Sequence, residues 1–279
     1  KVAGSGLSAR DFSFKIYKRS IDARKRDNIM SVCSVVAETA SDLRLDYTRL
    51  SKYGISEVPC GDLEIKKGDR RMANRPVIVG MGPAGMFCAM LLAENGYAPI
   101  IIERGDAVGE RVKKVEIFYK NGILDKNTNI QFGAGGAGTF SDGKLVTRIN
   151  DARCAYVLRR FNEFGAPDEI LTKAKPHIGT DVLKHVMKEM REEIRSFGGE
   201  IHFSHQLTAI SHRSDTCLSL TIKDLQNEQT IVVETSACIL AIGHSARDTF
   251  AMLQAAGVTM EAKSFAMGLR IEHSQAMVN

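Results

Sequence analysis

The alternation of apolar and polar positions changes character near residue 76. Before it, residues 11–17 (Asp-Phe-Ser-Phe-Lys-Ile-Tyr) alternate as a half-buried strand should, and residues 29–37 supply a second strand. Between them, residues 18–26 are strongly basic, and residues 67–75 are polar and patternless, which reads as a linker. After it, Val77-Ile78-Val79 and Ile100-Ile101-Ile102 are continuous apolar runs, as expected of strands buried on both faces. Residues 80–85 read as a glycine turn and residues 86–95 as a helix, with Gly96 just past its end as a C-cap. Further helices are predicted over 108–120, 151–164 and 180–196. The last carries Val182, Leu183, Val186, Met187, Met190 and Ile194 close to a 3.6-residue period. Residues 132–145 form a glycine-rich loop. Strands are expected at 200–204, 217–222 and 230–234, followed by a buried run at 237–243 and a strand-like segment at 265–273.

A length of 279 residues leaves room for about two domains. No apolar run approaches the ~20 residues that span a bilayer, and the first residues carry no apolar leader. The absence of an initiator Met and of any C-terminal punctuation suggests a fragment or a processed chain. Six scattered cysteines, none spaced C-x-x-C, fit thiols in a reducing, cytoplasmic setting and argue against a metal site; Cys88, inside an apolar helix, is expected to be buried and inert. Charge is uneven. Residues 1–75 hold 16 Lys and Arg against 10 Asp and Glu, whereas the remainder holds 22 against 23. The basic excess therefore marks residues 1–73 as a small separate α/β module, with either a solvated surface or a polyanion-binding face.

Gly80-Met81-Gly82-Pro83-Ala84-Gly85 is G-x-G-x-x-G, placed after a strand, at the start of a helix, and 23 positions before Glu103 at the end of the next strand. This is the dinucleotide-binding βαβ arrangement. Gly80 permits the tight turn, Gly82 lets the backbone approach a pyrophosphate, and Gly85 lets helix and strand pack closely. Pro83 and Ala84, within the turn, are candidate cofactor contacts, the N-terminus of the following helix supplies unpaired N–H groups for the phosphates, and Glu103 is expected to accept hydrogen bonds from ribose hydroxyls. The fold class is therefore α/β, with residues 74–279 forming a Rossmann-like domain interrupted by a helical and glycine-loop insertion at about 106–198.

The turn, followed by Ala89 and by Glu103-Arg104-Gly105, resembles the FAD unit of glutathione-reductase-type flavoproteins. That resemblance implies FAD rather than NAD. It also implies a third parallel strand at 200–204, an adenine-contacting stretch at 206–210 that includes Leu207, a β-meander over 216–234, and a small-residue turn at 240–243. Further motifs are similar to those of the uncharacterised bacterial FAD-dependent dehydrogenase-like proteins. They are residues 18–25, 131–145 (Gln-Phe-Gly-Ala-Gly-Gly-Ala-Gly-Thr-Phe-Ser-Asp-Gly-Lys-Leu), 175–180, 241–249 and 268–273. The similarity runs from about residue 12 to the end. Ala134 departs from it, standing where an acidic residue is implied, and the resemblance implies a further C-terminal part that completes the FAD site.

The remaining candidates follow from position. Gly133, Gly135, Gly136, Gly138 and Thr139 would line the flavin or pyrophosphate, with consecutive N–H groups forming an anion nest. Ser141, Asp142 and Lys144 would face the ring or the substrate, Lys144 tuning the flavin by its charge. Gly243, His244 and Ser245 lie beyond the carboxyl end of a parallel strand, where such sheets bind ligands. Arg270 and His273 would bind an anionic substrate and shuttle protons, or else pair with Glu261 or Glu272. His177 reads as a turn residue. The expected function is an FAD-dependent oxidoreductase that passes hydride between a donor, NAD(P)H or the substrate itself, and a small molecule. Two alternatives are a flavoprotein acting on RNA through the basic module and a non-catalytic FAD redox sensor. No hydrolytic triad or Walker A loop is present.

Overall fold

The computed structural model describes residues 10, 12–39, 46–58, 66, 68–69, 71–140, 143–147, 149, 151–269 and 271–278. Strands β1 (Ser13–Asp22) and β2 (Met30–Glu38) form an antiparallel hairpin. β1 is longer than the alternation predicts, because pairing with β2 carries it through the basic residues to Asp22; a hairpin this exposed tolerates charged side chains along its length. Part of the basic excess is neutralised on the spot: Arg24 forks onto Asp22, with Nε donating at 2.9 Å and Nη2 at 2.6 Å. A short helix, α1 (Tyr47–Leu50), follows, capped by Asp46. The end of the expected linker is tied down. Asn74 N donates to Ser236 Oγ at 2.9 Å, and Arg75 Nε donates to Ala98 O at 2.5 Å.

β3 (Val77–Val79), α2 (Pro83–Glu94) and β4 (Ile100–Ile102) form the βαβ unit. Then come α3 (Val108–Asn121), α4 (Ala152–Glu163), α5 (Glu169–Thr172) and α6 (Thr180–Ser196). β5 (Glu200–His202), β6 (His205–Ser214), β7 (Cys217–Asp224), β8 (Thr230–Thr235) and β9 (Cys238–Leu240) follow, with α7 (Arg247–Ala255) and the short α8 (Gln275–Val278) last. The parallel sheet has the order β5-β4-β3-β9, and β6-β7-β8 form the antiparallel meander. α2 begins at Pro83, three residues earlier than predicted, because proline at the first helical position needs no N–H partner.

Side-chain alternation along β3 sorts the core into two layers. Ile78 belongs to one buried cluster with Met86 and Met90 of α2, Val186, Met190 and Ile194 of α6, and Phe161 of α4. Val77 and Val79 turn the other way, onto Leu207, Leu220 and Ile222 of the meander. The parallel sheet therefore lies between helices and meander, and the carboxyl ends of β3, β4 and β9 open on one edge.

Two expectations are corrected. Residues 205–214 form a full strand, because β7 supplies the ladder that their mixed pattern did not announce. The described residues of 265–273 form no strand: Phe265, Met267, Leu269 and Ile271 are all strongly exposed, and a strand needs a partner edge. No helix among the described residues is long and apolar enough to cross a membrane.

Candidate dinucleotide site

The glycine turn is fixed from three sides. Gly80 N donates to Ile102 O at 2.8 Å, and Gly80 takes φ +101°, a conformation that side chains disfavour. A Cβ there would strike Ala241 O, in the turn after β9; one at Gly85 would strike Gly80 O. Gly82 differs. Its φ of −76° suits any residue, and an added Cβ would meet only Gly136 Cα, at an ordinary 3.9 Å. No side chain caps α2, so the first-turn N–H groups of Ala84 and Gly85 have no partner inside the helix. Neither packing nor backbone geometry explains glycine at 82.

Glu103 is not placed to meet a ribose. Only 5% of it is exposed, and its carboxylate accepts from Met81 N (2.7 Å), Gly105 N (2.8 Å) and Gly133 N (3.1 Å). It ties the glycine turn, the end of β4 and the glycine loop together. Burial pushes its pKa up, against the three N–H donors and the Arg111 charge.

Arg111, which sequence reasoning missed, is fully buried. Its guanidinium donates to Asn129 O (2.9 Å), Ile130 O (2.8 Å), Gly133 O (3.3 Å) and Ala134 O (2.7 Å), and lies 4.7 Å from the Phe140 ring centre. Burial pulls its pKa down to about 10, with Glu103 opposing, so it is cationic at neutral pH. One signal was available. Arg111 precedes Val115 by one turn, on the face of α3 that turns inward.

These bonds correct the anion-nest reading of the loop. Gly133 N is held by Glu103, Ala134 N donates to Asp106 O, Gly135 N to Met81 O and Gly136 N to Gly133 O. With those N–H groups engaged, this stretch is a buttress beneath the turn. Thr139 is also turned inward; it is fully buried, and its Oγ1 donates to Ala134 O at 3.4 Å. Gly138 is partly exposed, with open space where a Cβ would lie. Ala134 is buried, 3% exposed.

Leu207 has its side chain in the core, 2% exposed. Arg104 lies 5.3 Å from the Phe132 ring centre and pairs with Asp248 at 2.8 Å. Gly243 takes φ +70°, and His244 and Ser245 line a cleft of about 820 Å3 whose walls also include Lys126, Gln131 and Arg247. Lys144 and His273 are not among the residues lining that cleft. Lys144 instead forms a backbone bridge with His177, which is thus paired and not a simple turn residue. Leu145 N donates to Pro176 O at 3.1 Å and Ile178 N to Gly143 O at 3.0 Å. Ser141, Asp142 and Arg270 lie outside the described residues. Burial raises the Cys88 thiol and pushes Cys238 up to about 11, so both stay protonated near neutrality.

Lys114 Nζ sits between Asp106 (2.7 Å) and Asp125 (2.8 Å) below the loop. Partial burial alone would raise both carboxyls, but the Lys114 hydrogen bonds and charge hold them below the usual range. Their stabilising contribution is complete above the unfolded value of about 3.9 and is lost as pH falls through the depressed folded values. Thermal melts should therefore show stability falling below about pH 4, and Lys114→Met should flatten that dependence. An unchanged acid profile in the variant would remove this triad from the account.

Residues 78–148 match the profile of the NAD(P)-binding Rossmann-like domain. An uncharacterized protein of Clostridium beijerinckii is 46% identical over 275 residues, covering 98% of this chain and 50% of that protein. The chain thus spans about half the length of the curated relative it matches. Among solved structures, THI4 of Thermovibrio ammonificans is 16% identical with a TM-score of 0.45, covering 66% of this chain and 62% of its own. The flavin-dependent monooxygenase PieE, solved with FAD and substrate, is 15% identical at 0.40, covering 65% and 32%. Thioredoxin reductase of Lactococcus lactis is 17% identical at 0.33, covering 60% and 34%. The matched window runs from β3 through α2 and β4 into the glycine loop, and it identifies the chain as carrying a Rossmann-like dinucleotide-binding unit in a parallel α/β sheet.

Proposed function

We propose that the chain holds FAD and serves a flavin-dependent oxidoreductase that moves hydride between a donor such as NAD(P)H and a small molecule. The observation that carries this reading is Gly82, a glycine without steric or conformational cause at the uncapped start of α2. The antiparallel meander between β5 and β9 supports FAD in particular, since that order is what the resemblance to glutathione-reductase-type flavoproteins implies.

FAD, when bound, supplies the hydride chemistry; the protein binds, orients and shields it. Gly82 admits the pyrophosphate to the backbone, and the N–H groups of Ala84 and Gly85 donate to it under the partial positive charge of the helix N-terminus. Glu103 and Arg111 act from beneath, keeping turn and loop in register without touching the ligand. His244 and Ser245 border the ligand at the carboxyl edge of β9. The test is anaerobic titration of the flavin-loaded full-length protein with NADH and NADPH. Loss of the oxidised-flavin absorbance with one of them identifies the donor; absorbance that neither nucleotide changes contradicts the donor assignment.

A further inference from the structure

The cleft that His244 and Ser245 line has an uncompensated charge. One wall is the segment after α3, with Lys126 and Gln131; the other is the turn after β9, with His244 and Ser245, and the first residue of α7, Arg247. Arg104 links the two walls, lying over Phe132 on one side and pairing with Asp248 on the other. Among the described residues, no Asp or Glu lines the cleft. Nearby acids are spent elsewhere: Asp248 on Arg104 and Gln206, Asp125 on Lys114, and Glu103 on backbone N–H groups. Lys126 and Arg247 have no ion-pair partner among the described residues, although Lys113, Lys114 and Arg104 in the same region are all paired. Two unpaired cations with a hydroxyl and an imidazole, around a volume typical of small-ligand sites, favour an anion strongly enough to concentrate it from solution.

We propose that this cleft is a phosphate-recognition site for a nucleotide, with Lys126 and Arg247 as its charged contacts from opposite walls. Only the source of the phosphate rests on the flavin reading: it belongs either to the diphosphate of FAD or to the phosphorylated adenosine of a nicotinamide donor. Both side chains are exposed, so their removal leaves the core intact.

The experiment compares full-length wild type with Lys126→Ala/Arg247→Ala by calorimetric titration with adenosine, 5′-ADP and 2′,5′-ADP, with and without prior FAD loading. The site requires the double variant to bind at least one of the two phosphorylated probes roughly tenfold or more weaker, as expected for lost charge-assisted hydrogen bonds. Adenosine should be unaffected, and wild-type binding should fall steeply with salt. Loss of 5′-ADP binding after FAD loading assigns the phosphate to FAD. Retained 2′,5′-ADP binding in the loaded protein assigns it to a second nucleotide. Equal affinities in wild type and variant, or no binding of either phosphorylated probe by wild type, overturn the site. A wild type that fails to take up FAD, yet binds 5′-ADP in a manner sensitive to the two substitutions, overturns the flavin reading and leaves the site standing.

Discussion

Arg111→Met is expected to lower folding stability by about 3–5 kcal/mol, the range for removing one member of a buried charge pair. Methionine keeps an unbranched apolar stem but removes the guanidinium, taking its donors from the carbonyls of Asn129, Ile130, Gly133 and Ala134 and removing the cation that offsets Glu103. Gly133 O and Ala134 O keep Gly136 N and Thr139 Oγ1 as donors, but the carbonyls of Asn129 and Ile130 each add about 1–3 kcal/mol if left dry, so relaxation of the loop, and not a rigid gap, is the expected response. Because Gly133 and Gly135 are bonded to Glu103 and Met81, that relaxation reaches the glycine turn. Urea titration of the variant should show the lower midpoint, with nucleotide affinity falling alongside. Arg111→Lys should recover little, since one ammonium cannot reach four carbonyls spread around a planar fork. A stability change below about 1 kcal/mol for Arg111→Met would mean that the loop holds its shape without this residue.

Gly85→Ala and Gly82→Ala should separate folding from binding within one motif. At 85 the new methyl would overlap the Gly80 carbonyl oxygen and also press on the Ile78 side chain at 3.4 Å, so strand and helix must part. Overpacking of this kind costs about 1–3 kcal/mol or more, with a matching fall in melting temperature. At 82 the new methyl meets only Gly136, at van der Waals distance, and the fold should be undisturbed. It would instead occupy the space a pyrophosphate needs, so flavin affinity should drop by a factor of about 100 or more, the scale of displacing well-placed phosphate contacts. Equal melting temperatures for the two variants would contradict this division of roles.

The parts of the structure that were legible in the sequence are those set by local pattern. Val77-Ile78-Val79 and Ile100-Ile101-Ile102 read as buried strands because both of their faces are covered, one by helices and the other by the meander. The period of α6 gave its boundaries, Thr180 and Ser196, without error. β6 was hidden because its far half, Ser211 to Ser214, is solvated and polar, leaving β7 to define it. α7 was hidden because only Thr249 and Leu253 are buried along its nine residues. At the site, the glycine spacing and the acid at the end of β4 were visible, but the direction in which Glu103 points was not. An acidic residue at a strand end looks the same whether it meets a ribose or three N–H groups delivered from residues 81, 105 and 133. The engagement of the glycine loop was equally out of reach, since Gly135 finds Met81 only once the chain has returned 54 positions to the turn.

The central claim is that the turn at Gly82 receives FAD. The most direct measurement is the visible spectrum of the full-length protein after incubation with FAD and removal of the excess, beside the same record for Gly82→Ala at equal melting temperature. Retained oxidised-flavin absorbance in wild type, lost or much reduced in the variant, is the predicted result. A colourless wild type, or retention that Gly82→Ala leaves unchanged, would contradict it.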